Sequence, residues 1–288
     1  MNKNHLLLSL ALAAAALPGH AQSVDRVDPP FWWAGMKERT LQLMLHGRDL
    51  SGLQARVSHP GVKVKQSLTL PNPNHLVVDL DVAPGAKTGP VTIELLRAGK
   101  PVLKQAYELR PRAPGSAQRQ GFGPQDAVYQ VVPDRFANGN PANDNVASLG
   151  DPANRADKSS RHGGDIAGIA QHLDYIAGLG FTLIWPTPLT ENKQPQYSYH
   201  GYASTDTYKI DPRFGSNEDY RRMVAAARAK GIGVILDVVL NHIGSEHWWM
   251  HDMPTPDWIG FGGHFVQTQH ARTTASDPYA SRADAKIY

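Results

Sequence analysis

Cysteine is absent from the 288 residues, which excludes disulfides, thiol catalysis, cysteine-ligated zinc and a cysteine-linked lipid anchor. An excess of charge of one sign is lacking too: 29 Lys+Arg stand against 26 Asp+Glu, a formal balance of +3 at pH 7. That near-parity argues against a nucleic-acid partner, although the sequence pI is about 9.0. Nor does any apolar run reach the ~20 residues that a membrane-spanning helix needs. The longest, Leu6 to Leu17, follows Lys3 and His5 and precedes Pro18-Gly19-His20-Ala21. A short basic region, an apolar stretch and small residues before a cut after Ala21 make residues 1–21 a secretory signal peptide, with an uncleaved anchor as the alternative. The expectation is an exported protein, periplasmic or extracellular, free of the membrane once cleaved.

What is present, with 41% hydrophobic residues, suffices for one or two globular domains. Residues 22–117 read as a first domain, an immunoglobulin-like β-sandwich. Leu41, Leu43 and Leu45 alternate with Gln42, Met44 and His46, and similar alternation runs through Val62–Gln66, Leu76–Val82, Val91–Leu95 and Val102–Leu109. Turn residues separate these runs, as at His59-Pro60-Gly61 and Pro71-Asn72-Pro73-Asn74. A stretch rich in Pro, Gly, Ser, Gln and Arg, Pro111 to Pro124, then marks a linker.

Residues 118–288 follow a different period. Ala127–Val132, Phe181–Trp185 and Ile232–Val239 are apolar strands, with helical spacing between them. Ile166, Ile169, Leu173, Ile176 and Ala177 make one helix, capped by Asp165 and stopped at Gly180; Ser216 with Asp219 opens another that ends at Gly231. Strands apolar on both faces, alternating with helices, predict a parallel sheet. Asp134, Arg135, Thr187, Asp237, Asn241 and His242 fall at or beyond the strand C-terminal ends, the edge where ligand sites form in such sheets.

Several motifs in this order carry a resemblance. They are Tyr129-Gln130-Val131-Val132-Pro133-Asp134-Arg135-Phe136-Ala137-Asn138-Gly139, Gly163-Gly164-Asp165, and His200-Gly201-Tyr202 leading to Asp206. Ile210-Asp211-Pro212-Arg213-Phe214-Gly215 and Asp237-Val238-Val239-Leu240-Asn241-His242 complete them. Together they resemble the α-amylase superfamily of glycoside hydrolases, most closely its cyclomaltodextrinase and neopullulanase-like branch. Pro29-Pro30-Phe31-Trp32-Trp33 and the sandwich around it are similar to that branch's extra N-terminal domain.

The resemblance implies the first three βα units of an incomplete (β/α)8 TIM barrel, followed by the start of an inserted subdomain. It implies a retaining glycoside hydrolase acting on α-1,4-linked glucans: maltodextrin, cyclodextrin, pullulan or starch. An α-glucan transglycosylase shares that covalent intermediate, and a non-catalytic α-glucan-binding module is the reading from another class. Carried over by position, Tyr202 is the aromatic platform under the sugar, Asp237 the aspartate at the pocket base that orients an arginine, and His242 the imidazole that hydrogen-bonds the sugar. Asn138, Asn140, Asn143, Asp144, Gly163 and Asp165 are implied as a Ca2+ site; the alternative is an Asx-rich turn with Asp165 as a helix cap. Family members often carry aspartate where Asn140 stands, so calcium affinity should be lower here.

The nucleophile and the acid/base carboxylate belong to strands four and five of the family's barrel. The sequence shows no Gly-x-Arg-x-Asp after the third strand, so the chain reads as the front part of a longer hydrolase, inactive by itself. A homodimer through the N-terminal domain is a further implication of the resemblance for the full-length protein. Zinc at His247 and His251 is disfavoured, because Trp248 stands where a metalloprotease helix needs glutamate. Trp248, Trp249 and Trp258 are expected to form a small core rather than a sugar platform.

Overall fold

The structure is a computed structural model that describes residues 22–263. The signal-peptide expectation at residues 1–21 lies outside the described residues. Those up to Arg112 form one compact unit and those from Ala113 a second.

The first unit is built of eight strands: β1 (Ser23–Asp28), β2 (Trp32–Trp33), β3 (Thr40–Arg48), β4 (Gln54–Val57), β5 (Val62–Thr69), β6 (His75–Val82), β7 (Gly89–Arg97) and β8 (Lys100–Arg110). They pair into two four-stranded sheets of order β1-β3-β6-β5 and β2-β8-β7-β4. All ladders are antiparallel except β2 with β8. The period-two pattern sets which side chains are buried. Leu41, Leu43 and Leu45 of β3 join Leu76, Val78 and Leu80 of β6 and Val91, Ile93 and Leu95 of β7 in one core. Strand β6 departs from simple alternation, since His75, Val77 and Asp79 are buried too. Asp79 tolerates burial because Gln42 and Gln66 donate to its two oxygens at 2.9 and 2.5 Å, holding its carboxyl below the usual range.

The second unit opens with β9 (Val128–Val131), then α1 (Pro133–Phe136), α2 (Ile166–Gln171) and α3 (Leu173–Gly178). There follow β10 (Leu183–Pro186), β11 (Thr190–Glu191), β12 (Asp206–Ile210), α4 (Asn217–Ala229) and β13 (Gly233–Val234). Strands β9, β10 and β13 form a parallel sheet with β10 in the centre. Val131, Ile184 and Ile232 meet Ile166, Ile169, Leu173 and Ile176 from α2 and α3, with Met223 and Ala227 from α4, in the second core. None of the described helices is long and apolar enough to cross a membrane.

Both helix starts follow the sequence expectation. The Asp165 carboxylate accepts from Gly168 N at 2.6 Å, and Ser216 with Asp219 closes a reciprocal capping box. The first helix, however, is two short ones. At His172 the backbone leaves helical geometry (φ −111°, ψ 17°), and the ring Nδ1 hydrogen-bonds the Gly168 carbonyl at 2.8 Å. The third strand is shorter than the apolar run Ile232–Val239 suggested. Its ladder ends at Val234, extended by one bond from Ile235 N to Ile184 O at 2.8 Å. Among the described residues β13 pairs on one side only, which leaves Leu236, Val238 and Leu240 exposed.

Candidate functional site

In a parallel sheet the strand C-terminal ends lie along one edge. At that edge Pro133-Asp134 follows β9, Thr187 follows β10, and Asp237 lies past β13. Asp134 is buried but taken up structurally. It pairs with Arg135 and accepts from His162 N at 2.8 Å and Gly163 N at 3.2 Å, tying the end of β9 to the segment before α2.

Asp237 has different company. Its Oδ2 accepts from the Tyr202 hydroxyl at 3.1 Å and from Trp185 Nε1 at 2.9 Å. Tyr202 is carried by the loop between β11 and β12, a two-stranded antiparallel pair that the sequence pattern did not announce. His242 joins from beyond β13: its Nε2 donates to the Tyr202 carbonyl at 2.9 Å, while Nδ1 faces the Asn241 amide at 3.3 Å. So Tyr202, Asp237 and His242, some forty residues apart at the extremes, are drawn together. Burial first, then the hydrogen bond and negative charge of Asp237, push the Tyr202 phenol above its usual range.

Two of these side chains are already engaged within the described residues. Among the described residues, Asp237 orients no arginine; an indole and a phenol occupy its Oδ2. His242 directs its Nε2–H at backbone, so this proton is not free for a sugar hydroxyl in the arrangement seen. Trp185 was not singled out from the sequence. Its signal was there: an indole N–H at the C-terminal end of an apolar strand requires an acceptor, and Asp237 one strand over requires donors.

The loop in front of Tyr202 is tightly shaped. Ser198–His200 is a short 3-10 turn between Tyr197 and Gly201, both left-handed at φ 62° and 85°. Gly201 lies so close to Pro188 that a Cβ would stand 2.0 Å from its carbonyl oxygen, so no other residue fits. His200 Nδ1 accepts from Tyr202 N at 2.9 Å, a bond that requires that nitrogen to be unprotonated. Burial holds the His200 pKa below the ordinary imidazole value, which keeps the acceptor available.

The six residues of the implied calcium site divide. Asn138 Nδ2 donates to Asp144 Oδ1 at 2.7 Å, and the buried Oδ1 atoms of Asn138 and Asn143 have no hydrogen-bond partner among the described residues. Gly163 closes this group: a Cβ there would stand 2.7 Å from Asp144 Oδ1 and 2.8 Å from Asn138 Nδ2. Asp165 and Asn140 are otherwise engaged. Asp165 accepts from Gly139 N, Asn140 N and Gly168 N at 2.6–3.0 Å, and Asn140 Oδ1 accepts from Ala142 N at 3.3 Å. Those two shape the loop, as in the Asx-turn reading.

Further along, His247 caps the turn Trp248–Met250, its Nδ1 accepting from Trp249 N at 3.2 Å. Trp249 meets Trp248 at 5.7 Å and Trp258 at 5.2 Å between ring centres, a mutually packed aromatic cluster that stays partly exposed rather than a buried core.

Residues 130–274 match the family model described as the α-amylase catalytic domain, and residues 26–113 match the cyclomaltodextrinase N-terminal domain. A β/α-amylase from Paenibacillus polymyxa is 43% identical over 118 residues, covering 41% of this chain and 10% of that protein. A cyclomaltodextrinase from Geobacillus thermopakistaniensis is 43% identical over 118 residues, covering 41% of this chain and 19% of its own length. The crystal structure of an Anoxybacillus α-amylase aligns over 44% of this chain and 26% of its own, at 42% identity and a TM-score of 0.40. The matched stretch thus spans a fifth or less of these two curated relatives. With its strand-end motifs inside the matched catalytic stretch, and a cyclomaltodextrinase-type domain ahead of it, the chain belongs to the α-amylase family of glycoside hydrolases.

Proposed function

We propose that the chain is the leading part of an exported hydrolase of α-1,4-linked glucans, and that it supplies the sugar-holding side of a retaining active site. The observation that carries this reading is the meeting of Tyr202, Asp237 and His242 at the strand-end edge. A pyranose has apolar C–H faces and a rim of hydroxyls, so an aromatic ring beside a carboxylate and an imidazole suits it. In this reading the second unit is the opening of a (β/α)8 barrel, and the nucleophile and acid/base lie in sequence beyond it. The matched share of the relatives' length supports that assignment. Without either carboxylate no glycosyl-enzyme can form, so this chain by itself binds and does not cleave.

The test is a calorimetric titration of the full chain with maltoheptaose, run beside a reducing-sugar assay on maltodextrin. Binding without turnover is expected. Turnover would show that the carboxylates are within reach after all; absence of both would remove the glucan pocket. Binding without turnover also fits the module reading.

Calcium fits the chemistry of the donors. Asn138, Asn143 and Asp144 offer hard oxygens, two of them buried and unpartnered, and the Gly163 backbone closes the group. When bound, the ion would satisfy those oxygens and fasten the loop to the start of α2. Adding a chelator to calcium-loaded protein should lower the melting temperature by several degrees, since a ligand at 100 times its Kd contributes about 2.7 kcal/mol. An unchanged melting curve would leave the Asx-turn reading alone.

A further inference from the structure

Behind the Tyr202 loop lies a buried polar group that none of the roles above uses. Ser198 N donates to Asp151 Oδ2 at 2.8 Å, and Arg161 Nη1 reaches the Ser198 carbonyl and hydroxyl at 3.4 and 3.3 Å. Arg161 and Ser198 are fully buried, and Asp151 nearly so. Arg161 is poorly served for a buried guanidinium. Its Nε and Nη2 lack hydrogen-bond partners among the described residues, and Asp134 Oδ1 is 3.8 Å from Nη2. Its Cζ lies 4.7 Å from the centre of the Phe214 ring, a place an unbranched apolar side chain would fill without a desolvation cost. Volume therefore does not explain the residue. What a guanidinium supplies here, and methionine would not, is a positive charge beside the buried Asp134 and Asp151 and a donor shared by both oxygens of Ser198.

That grip acts on a segment that needs holding. Tyr197 and Asp151 are non-glycine residues at φ 62° and 46°, and for the bulky Tyr197 such a conformation persists only when its surroundings enforce it. The turn they shape ends at Tyr202, whose phenol and carbonyl meet Asp237 and His242. We infer that Asp151 and Arg161 are positioning residues for the glucan pocket: by clamping Ser198 from two sides they fix the Tyr197–Gly201 turn and so present the Tyr202 ring to the sugar. This rests on the reading of Tyr202 as part of that pocket.

The experiment uses the full chain labelled with 3-fluorotyrosine, the Tyr202 signal being assigned with Tyr202→Phe, and is paired with maltoheptaose titration. Arg161→Met should move the Tyr202 fluorine signal and weaken maltoheptaose about tenfold, the equivalent of one good hydrogen bond. In a Tyr202→Ala background the same substitution should cost no further affinity, because its effect passes through that ring. Asp151 offers a second arm should Arg161→Met fail to fold. Asp151→Asn keeps an acceptor and tolerates the left-handed backbone, so signal and affinity should stay; Asp151→Gly keeps the backbone but removes the acceptor, so both should shift. A folded Arg161→Met protein with both readouts unmoved would overturn the clamp. So would an equal movement of the Tyr202 signal in Leu173→Ala, a core change in α3 that only lowers stability. Should the unsubstituted chain bind no maltoheptaose while Arg161→Met and Asp151→Gly still move the signal, the clamp stands and the glucan reading falls.

Discussion

Replacing Asp211 with alanine should remove about 3–5 kcal/mol of stability, the usual cost of stranding one member of a buried ion pair. Asp211 and Arg213 are both fully buried and joined as a fork: Nε to Oδ1 at 3.0 Å and Nη2 to Oδ2 at 2.8 Å. The carboxylate also accepts from Arg213 N at 2.9 Å and Asn192 N at 3.1 Å, closing the turn after β12. Arg213 in turn donates to the carbonyls of Gly150 at 3.1 Å and Asn192 at 2.6 Å, so three separate chain segments hang on the pair. Urea unfolding measures the loss. A second substitution, Arg213→Met, made on top of Asp211→Ala, should recover part of it by removing the orphaned charge. A single-variant loss below ~1 kcal/mol would mean that water reaches the pair and screens it.

The other large effect is on ligand binding. Asp237→Ala should weaken maltoheptaose by roughly ten- to a hundredfold, because hydrogen bonds to a charged group contribute about 1.5–3 kcal/mol. The substitution also strips the Tyr202 hydroxyl and the Trp185 indole of the oxygen they share. A second readout separates this from simple unfolding. Asp237 raises the Tyr202 phenol through its hydrogen bond and its charge, so removing it should bring that phenol back toward the ordinary tyrosine value, with burial alone still holding it up. An alkaline absorbance titration of the folded variant reads that change. Unaltered affinity would place the sugar elsewhere on the sheet edge.

Much of this architecture could be read from residue spacing. The alternating leucines of β3 and the capping pair Ser216 and Asp219 act through local geometry, and the structure places them as their pattern requires. The motif Ile210-Asp211-Pro212-Arg213-Phe214-Gly215 was legible as a family mark, but its work was not: the Asp211–Arg213 pair is a buried fastener for the loops around it. The break at His172 depends on a ring turning back onto the Gly168 carbonyl, a competition no apolar period records. Trp185 and Asp237 each announced an unmet hydrogen bond, yet neither named its partner.

By itself, then, the sequence determined most element types and the family, since periodicity, caps and turn residues express short-range sterics and burial. Tertiary structure alone decided which polar groups satisfy one another. Asp165 is spent on capping α2 while Asn138 and Asn143 keep oxygens unpartnered among the described residues, and Tyr202 meets Asp237. The reason is physical. Hydrogen bonds form within about 3 Å between groups that the chain separates by tens of residues, and only the packing of strands and loops brings them into range.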